Sequence, residues 1–419
     1  MPRQRPLFLV GFGLALALGI FLRLPFSVFE GSGAPLHALA ALHPTPGFTG
    51  IGFDENLYRK YVNSLIRTGL GGYPQIVDHY IEVQKTLTGS ILPPVRFLYI
   101  FSAYLWHQIF GSEALAALHD VASFCSILTF VLGTVFAWRL KGPAGALGVT
   151  ALMSVAPTQL HMSQHALVDG FFTFWALLSL WLLWENLRSP RRWQLLVAYI
   201  VGLALLVVTK ENFVFVWLAL VALIITNHWL QFGRVTHELL FATILGPLLG
   251  AVALIFLAGG ISTLVETYQL SVSKNYQLTY AILTGDGPWY RYLVDLLLVS
   301  PVVLLLALGA AFRLDRTQKP ELFLSLFIAA SYLIMCNIKY GMNLRYANMW
   351  DLPLRVLALS QITAWFASFA RHRGLLMILS VAAICAFELR QYIILSVQFP
   401  LYELVTEGLL RALHILKSP

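Results

Sequence analysis

The sequence has little charge and little cysteine, and each shortage excludes a class of protein. Only 11% of its 419 residues are charged, against about 25% in ordinary soluble domains. So few charges cannot cover the surface of a soluble fold, and a mean hydropathy of +0.74 also excludes an intrinsically disordered chain. The three cysteines (Cys125, Cys336 and Cys385) lie inside apolar runs without a CxxC pair, which argues against a disulfide framework and a structural zinc site.

Motifs that hold nucleotides or metal ions are also missing. The chain has no nucleotide-binding glycine-rich loop, no DxD-type acidic pair and no HExxH frame. His161 and His165 have the spacing of metal ligands on a helix, but a hydrogen-bonded pair is the preferred interpretation. The net charge of +8 comes from scattered Lys and Arg rather than from a basic stripe. The sequence therefore predicts no metal site, no required cofactor and no nucleic-acid partner.

Long apolar runs are what the sequence has in abundance. Residues of the types AVILMFWYC make up 58% of the chain. Eleven runs are predicted to be membrane-spanning helices, because a span needs about 17–25 apolar residues. They are 7–29, 115–138, 143–161, 167–187, 192–209, 212–231, 238–258, 291–312, 321–338, 345–369 and 374–396. The predicted fold class is an all-α polytopic integral membrane protein.

Two apolar runs have more than one interpretation. The first, 7–29, is followed by a small-residue triplet at 32–34 that suits a cleavable signal peptide, but Pro35 would directly follow the cut. A signal-anchor helix is therefore favoured. The run 97–110 has only fourteen residues, which favours a re-entrant or interfacial helix over a span.

Positive charge indicates the orientation. If 97–110 does not cross, the basic clusters between spans lie on the cytoplasmic side together with Arg3 and Arg5. The N-terminus is then predicted to be cytoplasmic. An active site at the outer ends of the spans would lie on the external or periplasmic face of the plasma (inner) membrane. The predicted segments are a first transmembrane helix (1–29), an external loop with membrane-surface helices (30–114), spans two to seven (115–258), an external loop (259–290), spans eight to eleven (291–396) and an amphipathic tail (397–419).

Ionisable residues gather at the outer ends of the predicted spans, where they are candidates for function. Carboxylates there can act as general bases towards an acceptor hydroxyl or amine, and Lys or Arg can hold an anionic leaving group such as a lipid phosphate. Helix capping by Asp54 and Asp169 is the structural alternative. The candidates are Asp54-Glu55, Asp169, Lys210-Glu211 and Arg345-Tyr346.

Several local patterns occur in an order that resembles one family. They are Asp54-Glu55, LPPVRFLYIFSAYLWHQIFG (92–111), Val208-Thr209-Lys210, GPWYRYL (287–293) and NLRYANMWDLPLRVLAL (343–359). These resemble the polyprenyl-phosphate-sugar-dependent glycosyltransferases of the GT-C class, which include protein O-mannosyltransferases and lipid A aminoarabinose transferases. Leu92, His165 and Glu211 depart from the family pattern; a histidine is usual at the first position and a small residue at the last.

The resemblance implies transfer of a sugar from a polyprenyl-phosphate-linked donor to an acceptor glycan, lipid or protein among the membrane lipids. Asp54 would be the general base, while Glu55 and Asp169 would position sugar or acceptor. Lys85 and Lys274 are chosen from their external position alone, and a solvated loop is the alternative for both. The candidates for the donor phosphate are thus Lys85, Lys274 and Arg345, and the further site candidates are Tyr346, Lys210, Glu211 and His165.

Two other functions stay open at this point. A secondary transporter or lipid flippase would have inverted repeats and broken helices at mid-membrane, and the sequence has no half-to-half symmetry. Asp351 and Arg355 favour a transport path, although an ion pair on one helix face also explains them. A non-catalytic assembly subunit would tolerate replacement of Asp54 and Asp169.

Overall fold

The computed structural model describes residues 4–29, 37–44, 52–369 and 371–399. Within these ranges the chain forms helices and no strand, which confirms the all-α prediction. The predicted amphipathic helix at 400–416 and the small-residue triplet at 32–34 lie outside the described residues.

The described helices follow one another with short connections. The first nine are α1 (Gln4–Phe21), α2 (Phe53–Thr68), α3 (Tyr73–Thr86), α4 (Phe97–Phe110), α5 (Ala114–Ser154), α6 (Pro157–Ser163), α7 (Val168–Arg188), α8 (Trp193–Thr209) and α9 (Phe213–Leu230). The next eight are α10 (His237–Leu257), α11 (Ile261–Asn275), α12 (Thr279–Thr284), α13 (Arg291–Val299), α14 (Pro301–Ala311), α15 (Lys319–Met335), α16 (Asp351–Trp365) and α17 (Arg373–Tyr392). A 3₁₀ helix (Leu344–Trp350) leads into α16, and a π-helix (Ile393–Gln398) continues α17.

Five of the described helices are long and apolar enough to cross a membrane: α5, α7, α9, α10 and α17 with its extension. Shorter apolar helices lie in α1, α8 and α14. A described helix overlaps each of the eleven predicted spans, but helix length does not confirm the count of eleven.

Helix α5 is interrupted between two of the predicted spans, 115–138 and 143–161, as the sequence predicted. The interruption is at Gly142, where φ is +70°. Glycine adopts this left-handed conformation without a Cβ clash, and Pro143 has no N–H for the helical ladder. The second part of α5 ends at Ser154, before the separate short helix α6.

Two further predicted spans begin or divide differently in the structure. The predicted span 291–312 breaks at Ser300, and Pro301 starts α14, where a missing N–H is tolerated. The predicted span 345–369 starts with the 3₁₀ helix Leu344–Trp350 rather than with an α-helix. These breaks matter because the 3₁₀ helix carries two candidate site residues.

The run 97–110 is the short helix α4, with the predicted bounds. Arg96 precedes it as the N-cap residue, and Gly111 ends it with φ of +69°. Helix α4 packs on α5 and α8, and α2 packs on α4 and α5. The segment from α2 to α4 therefore forms a helical layer beside the N-terminal part of α5.

Two hydrophobic cores meet next to the candidate site. The larger core joins α5, α7, α8, α9 and α14 to α16, and includes the fully buried Trp350. The second joins α2, α3 and α4 to the starts of α5 and α7, and includes Tyr58 and Tyr99, whose rings pack edge to face at 5.2 Å. Close packing of this kind holds membrane helices together where lipid gives no hydrophobic drive. The two cores fix α2 and the 3₁₀ helix relative to each other.

Candidate functional site

Asp54 and Arg345 form an ion pair between distant parts of the chain. Asp54 lies in the first turn of α2, and Arg345 lies at the start of the 3₁₀ helix, 291 residues later. The Arg345 Nη1 donates to Asp54 Oδ2 at 3.0 Å, and the side chains keep 11% and 18% of their exposure. Gly52 is the N-cap residue of α2, so helix capping does not explain Asp54. The pair is partly buried and still open to solvent.

Asp169 lies next to the Asp54–Arg345 pair, deeper in the protein, and extends the pair into a row of charges. It lies in the first turn of α7, whose N-cap residue is Leu167, so capping does not explain Asp169 either. Its Oδ1 accepts a hydrogen bond from Lys210 Nζ, and its Oδ2 is 3.9 Å from Arg345 Nε. The Asp169 and Lys210 side chains are almost fully buried. Burial lowers the pKa of Lys210, although the carboxylate of Asp169 opposes this effect.

Tyr346 lies beside both cations of this row. Lys210 Nζ is 4.0 Å from the centre of the Tyr346 ring, and the guanidinium carbon of Arg345 is 5.9 Å from it. A ring face attracts cations electrostatically at these distances. The structure therefore brings together Asp54, Asp169, Lys210, Arg345 and Tyr346, which the sequence had proposed separately.

A second ion pair adjoins the row and contains a residue that the sequence analysis missed. Arg96 donates from Nε to Glu211 Oε2 at 3.1 Å, donates from a second nitrogen to Oε1, and donates from Nη1 to the Tyr58 hydroxyl at 2.6 Å. Burial opposes the charge, but Glu211 and Tyr58 raise the pKa of Arg96 well above its usual value. Arg96 appeared in the sequence only as the boundary of an apolar run. An external arginine against the positive-inside bias was the available signal.

Glu55 has a structural place next to Asp54. Its Oε2 accepts the Gly52 N–H at 3.0 Å, and its Oε1 accepts the Ala166 N–H at 2.9 Å and lies 3.2 Å from His165 Nδ1. Burial favours the neutral acid, but the hydrogen bond and charge of His165 lower the pKa of Glu55 to about 2. These bonds tie the start of α2 to the segment before α7 and so keep Asp54 near Asp169.

The two histidines with metal-ligand spacing are buried and have different partners. Their ring centres are 4.4 Å apart; His165 meets Glu55, whereas His161 Nδ1 is 3.3 Å from Ser396 Oγ. In the part of the chain that the structure describes, no three His, Cys, Asp or Glu side chains are placed to share a metal ion.

Lys85 and Lys274 lie on a different part of the surface. Lys85 Nζ pairs with Glu266 on α11 at 2.6 Å, with both side chains about half exposed. Lys274 Nζ donates to the Leu87 carbonyl at 2.5 Å. Both lysines therefore take part in the contact between α3 and α11. The structure does not bring them into the row of charges around Asp54. Their role in donor binding stays a prediction.

The pair that favoured transport is enclosed in a buried network. Arg355 donates to Asp351 on the same helix, from Nη2 to Glu388 Oε2 at 2.7 Å, and from Nε to the Leu152 carbonyl at 3.0 Å. Its side chain has no exposure. A fully buried guanidinium with three partners joins α5, α16 and α17, and so has a structural explanation.

Taken together, the site alternates three carboxylates with three cations. They are Asp54, Asp169 and Glu211, paired with Arg345, Lys210 and Arg96. The cluster is neutral as a set, and only its Asp54–Arg345 and Glu211 ends reach solvent. Chemically, the exposed end offers one carboxylate that can accept a proton and one guanidinium that can grip a phosphate through two hydrogen bonds.

No protein-family model and no curated protein sequence matches the chain. Its structure is similar to that of ArnT from Cupriavidus metallidurans in the apo state, with a TM-score of 0.51 and 15% identity over 78% of this chain and 58% of that one. For ArnT bound to undecaprenyl phosphate the TM-score is 0.51 and the identity 13%, over 84% and 59% of the two chains. The oligosaccharyltransferase of Archaeoglobus fulgidus, tethered with an acceptor peptide, gives a TM-score of 0.56 and 13% identity over 92% and 55%.

The chain therefore has the fold of the GT-C glycosyltransferases, as its motifs had predicted. It spans less than two thirds of the length of each of these structures. The five described helices that are long and apolar enough to cross a membrane also identify it as an integral membrane protein.

Proposed function

We propose that this protein is a membrane glycosyltransferase that moves a sugar from a polyprenyl-phosphate-linked donor to an acceptor glycan, lipid or protein. The observation that carries the proposal is the partly exposed Asp54 carboxylate beside the Arg345 guanidinium, 3.0 Å apart, in a GT-C fold. The likeness to ArnT bound to undecaprenyl phosphate supports this donor class. We place the reaction on the non-cytoplasmic face of the plasma (inner) membrane, because the positive-inside rule puts α2 there.

The proposed reaction uses a carboxylate and a cation in opposite roles. Asp54 takes the proton of the acceptor hydroxyl or amine as this group forms a bond to the anomeric carbon of the sugar. The bond from that carbon to the phosphate oxygen breaks, and its electron pair stays on the leaving polyprenyl phosphate. Arg345 balances the charge that develops on the phosphate.

The other charged residues have supporting roles in this proposal. Asp169 is held by Lys210 and faces Arg345, so it sets the position of the guanidinium. Glu55 has hydrogen-bond partners on both carboxylate oxygens, which suits positioning of α2 rather than proton transfer. A lipid-linked donor also fits the location, since a site outside the cytoplasm has no access to cytoplasmic nucleotide sugars.

The test is sugar release from a labelled decaprenyl-phosphate hexose, with the purified protein in lipid vesicles and water as the acceptor. We expect the parent to release sugar and Asp54→Asn to be slower by about 10²–10⁴-fold, the usual contribution of a general base. Glu113→Gln is the matched control, because it also removes one carboxylate from an ion pair with an arginine. Its partner Arg59 lies on α2, the helix of Asp54, and this pair is exposed. Parent-like release by Asp54→Asn would rule out the base assignment.

A further inference from the structure

The guanidinium of Arg345 lies between the carboxylates of Asp54 and Asp169, which differ in their other partners and in their distance from it. Asp169 already has a buried partner in Lys210, and its nearest approach to Arg345 is 3.9 Å. Asp54 has the shorter contact with Arg345, 3.0 Å from Nη1 to Oδ2. In the described part of the chain, Arg345 is the cation that pairs with Asp54. The arginine that we propose for the donor phosphate is thus hydrogen-bonded to the carboxylate that we propose as the base.

These two tasks are in conflict within the free protein. The hydrogen bond from Arg345 takes one of about four lone-pair directions of the Asp54 carboxylate, and an acceptor hydroxyl has to compete with a guanidinium on the Oδ2 side of that carboxylate. Arg345 has five N–H donors, and the one on Nη1 that is directed at Asp54 Oδ2 is not available to a phosphate while this pair persists. In the free protein the proposed base and the proposed phosphate ligand are therefore paired with each other, and a phosphate that takes this N–H exchanges one partner of Arg345 for another.

We propose that a lipid-linked phosphate opens this site by drawing Arg345 away from Asp54, so that the donor binds before the base can act. The inference rests on the proposed function and adds the order of events to it. The phosphate takes the Arg345 hydrogen bonds that Asp54 held, and Asp54 Oδ2 becomes available to the acceptor. Without the donor, Asp54 stays masked and an acceptor is not activated.

The surroundings of Arg345 suit such an exchange. Its backbone N–H is fixed by the Asn343 side chain at 2.9 Å, whereas its side chain lies at the partly open end of the cluster. Asp169 does not need to move, because Lys210 holds it. Arg345 can therefore turn from Asp54 towards a phosphate and still remain near the Asp169 carboxylate.

The same exchange gives Asp54 a part in product release. After transfer, Asp54 carries the acceptor's proton and is neutral, while the polyprenyl phosphate product carries more negative charge than the donor. Asp54 then loses its proton to solvent through its exposed edge. Once ionised, it competes again for Arg345 and weakens the hold on the product.

This competition predicts an unusual phenotype for Asp54→Asn. The amide no longer competes as an anion for Arg345, so polyprenyl phosphate should bind more tightly while transfer falls. Hydrogen bonds to charged groups are stronger than those between neutral groups, so an affinity gain on the order of 10-fold is expected. A general base without a masking role gives the loss of transfer and no gain in affinity.

The experiment measures equilibrium binding of decaprenyl phosphate to the full-length protein in nanodiscs. Decaprenol and inorganic phosphate are run beside it to separate the lipid-linked phosphate from its two parts. The variants are Asp54→Asn, Glu211→Gln and Glu113→Gln, each removing one carboxylate from the same predicted face. Glu211→Gln frees Arg96 rather than Arg345, and Glu113→Gln frees the exposed Arg59. Thermal unfolding of each variant verifies that it is folded.

We expect Asp54→Asn alone to gain affinity, and only for decaprenyl phosphate. A gain in Glu211→Gln instead would place the phosphate at Arg96 and overturn the inference, as would equal gains in all three variants. A gain for inorganic phosphate without one for the lipid would overturn the lipid source. If the parent binds decaprenyl phosphate but Asp54→Asn gains nothing, the masking fails and the proposed donor class stands. Absence of binding by the parent overturns both.

Discussion

Gln159 donates two hydrogen bonds to Asn348 across 189 residues of sequence. Its Nε2 lies 3.1 Å from the Asn348 carbonyl oxygen and 2.7 Å from Oδ1. Both side chains are buried. Asn348 is one 3₁₀ turn beyond Arg345, so this contact from α6 fixes the helix that carries Arg345 and Tyr346.

We therefore expect Gln159→Leu to disturb the donor site from a distance. Loss of the amide leaves buried Asn348 oxygens without this donor, which costs about 1–3 kcal/mol of stability. It should also weaken decaprenyl phosphate binding by loosening Arg345. Gln361→Leu is the control, because Gln361 is equally buried near the other end of α16 and contacts Arg313 instead. Equal phosphate affinities for the two variants would show that Gln159 only stabilises the fold.

The Lys210–Asp169 pair should be far more sensitive to a single change than to a double one. Among the residues that the structure describes, Lys210→Met leaves the buried Asp169 carboxylate with the 3.9 Å contact to Arg345 as its remaining ion pair. Breaking a buried pair on one side typically costs about 3–5 kcal/mol, whereas replacing both partners by apolar residues is often near neutral. Denaturant titrations of Lys210→Met and of Lys210→Met with Asp169→Leu measure the difference. Equal losses would mean that the two charges do not depend on each other.

The sequence predicted the row of charges around Asp54, because each member is an ionisable residue at a predicted helix end on one membrane face. The members are Asp54, Asp169, Lys210, Arg345 and Tyr346. Charge and topology are sufficient for this, since they need only hydropathy and the positions of Lys and Arg. They cannot say which charges pair. Lys85 and Lys274 met the same criterion as Arg345, yet the structure places them in exposed contacts along α11.

The pairing itself depends on tertiary structure that has no local signature. Arg96 becomes a site residue because α4 packs beside α8 and brings it to Glu211, 115 residues away. Helix breaks were equally hard to locate: the 3₁₀ helix before Asp351 lies inside what reads as one apolar run. That break is what turns Arg345 towards α2, so the site geometry could not be derived from hydropathy.

Glu55 gives a pH dependence with a defined sign. Its pKa in the folded protein is about 2, below the ordinary 4.5, so its stabilising effect is complete above pH 4.5 and is lost as the pH falls towards 2. The shift corresponds to on the order of 3 kcal/mol at neutral pH, at 1.36 kcal/mol per unit. We expect Glu55→Gln to unfold at lower temperature than the parent at pH 6, with the gap narrowing between pH 4.5 and 3.

The control for this measurement is Glu82→Gln, whose carboxylate is exposed on α3. Its unfolding temperature should follow that of the parent at every pH. A gap between Glu55→Gln and the parent that stays constant from pH 6 to pH 3 would contradict the low pKa of Glu55. The lost stability would then come from packing rather than from the ionised carboxylate.

The orientation of the chain is testable with single cysteines. The native Cys125 and Cys336 are buried and Cys385 is partly buried, so a variant with all three replaced by alanine gives a clean background. We introduce cysteine at Gln75 on α3 and at Thr317 between α14 and α15, which are both exposed in the structure. Because both positions are exposed, a difference in labelling by a membrane-impermeant maleimide reports the side of the membrane.

Gln75 should react in intact cells, whereas Thr317 should react only after the membrane is permeabilised. The reason is that the basic groups Arg313, Arg316 and Lys319 surround Thr317, and such clusters stay on the cytoplasmic side. Cysteine at Ser189, beside Arg188, should behave like Thr317. Labelling of Thr317 and Ser189 from outside would invert the protein and place α2 in the cytoplasm. Nucleotide sugars would then be available to Asp54, and the case for a lipid-linked donor would lose its topological support.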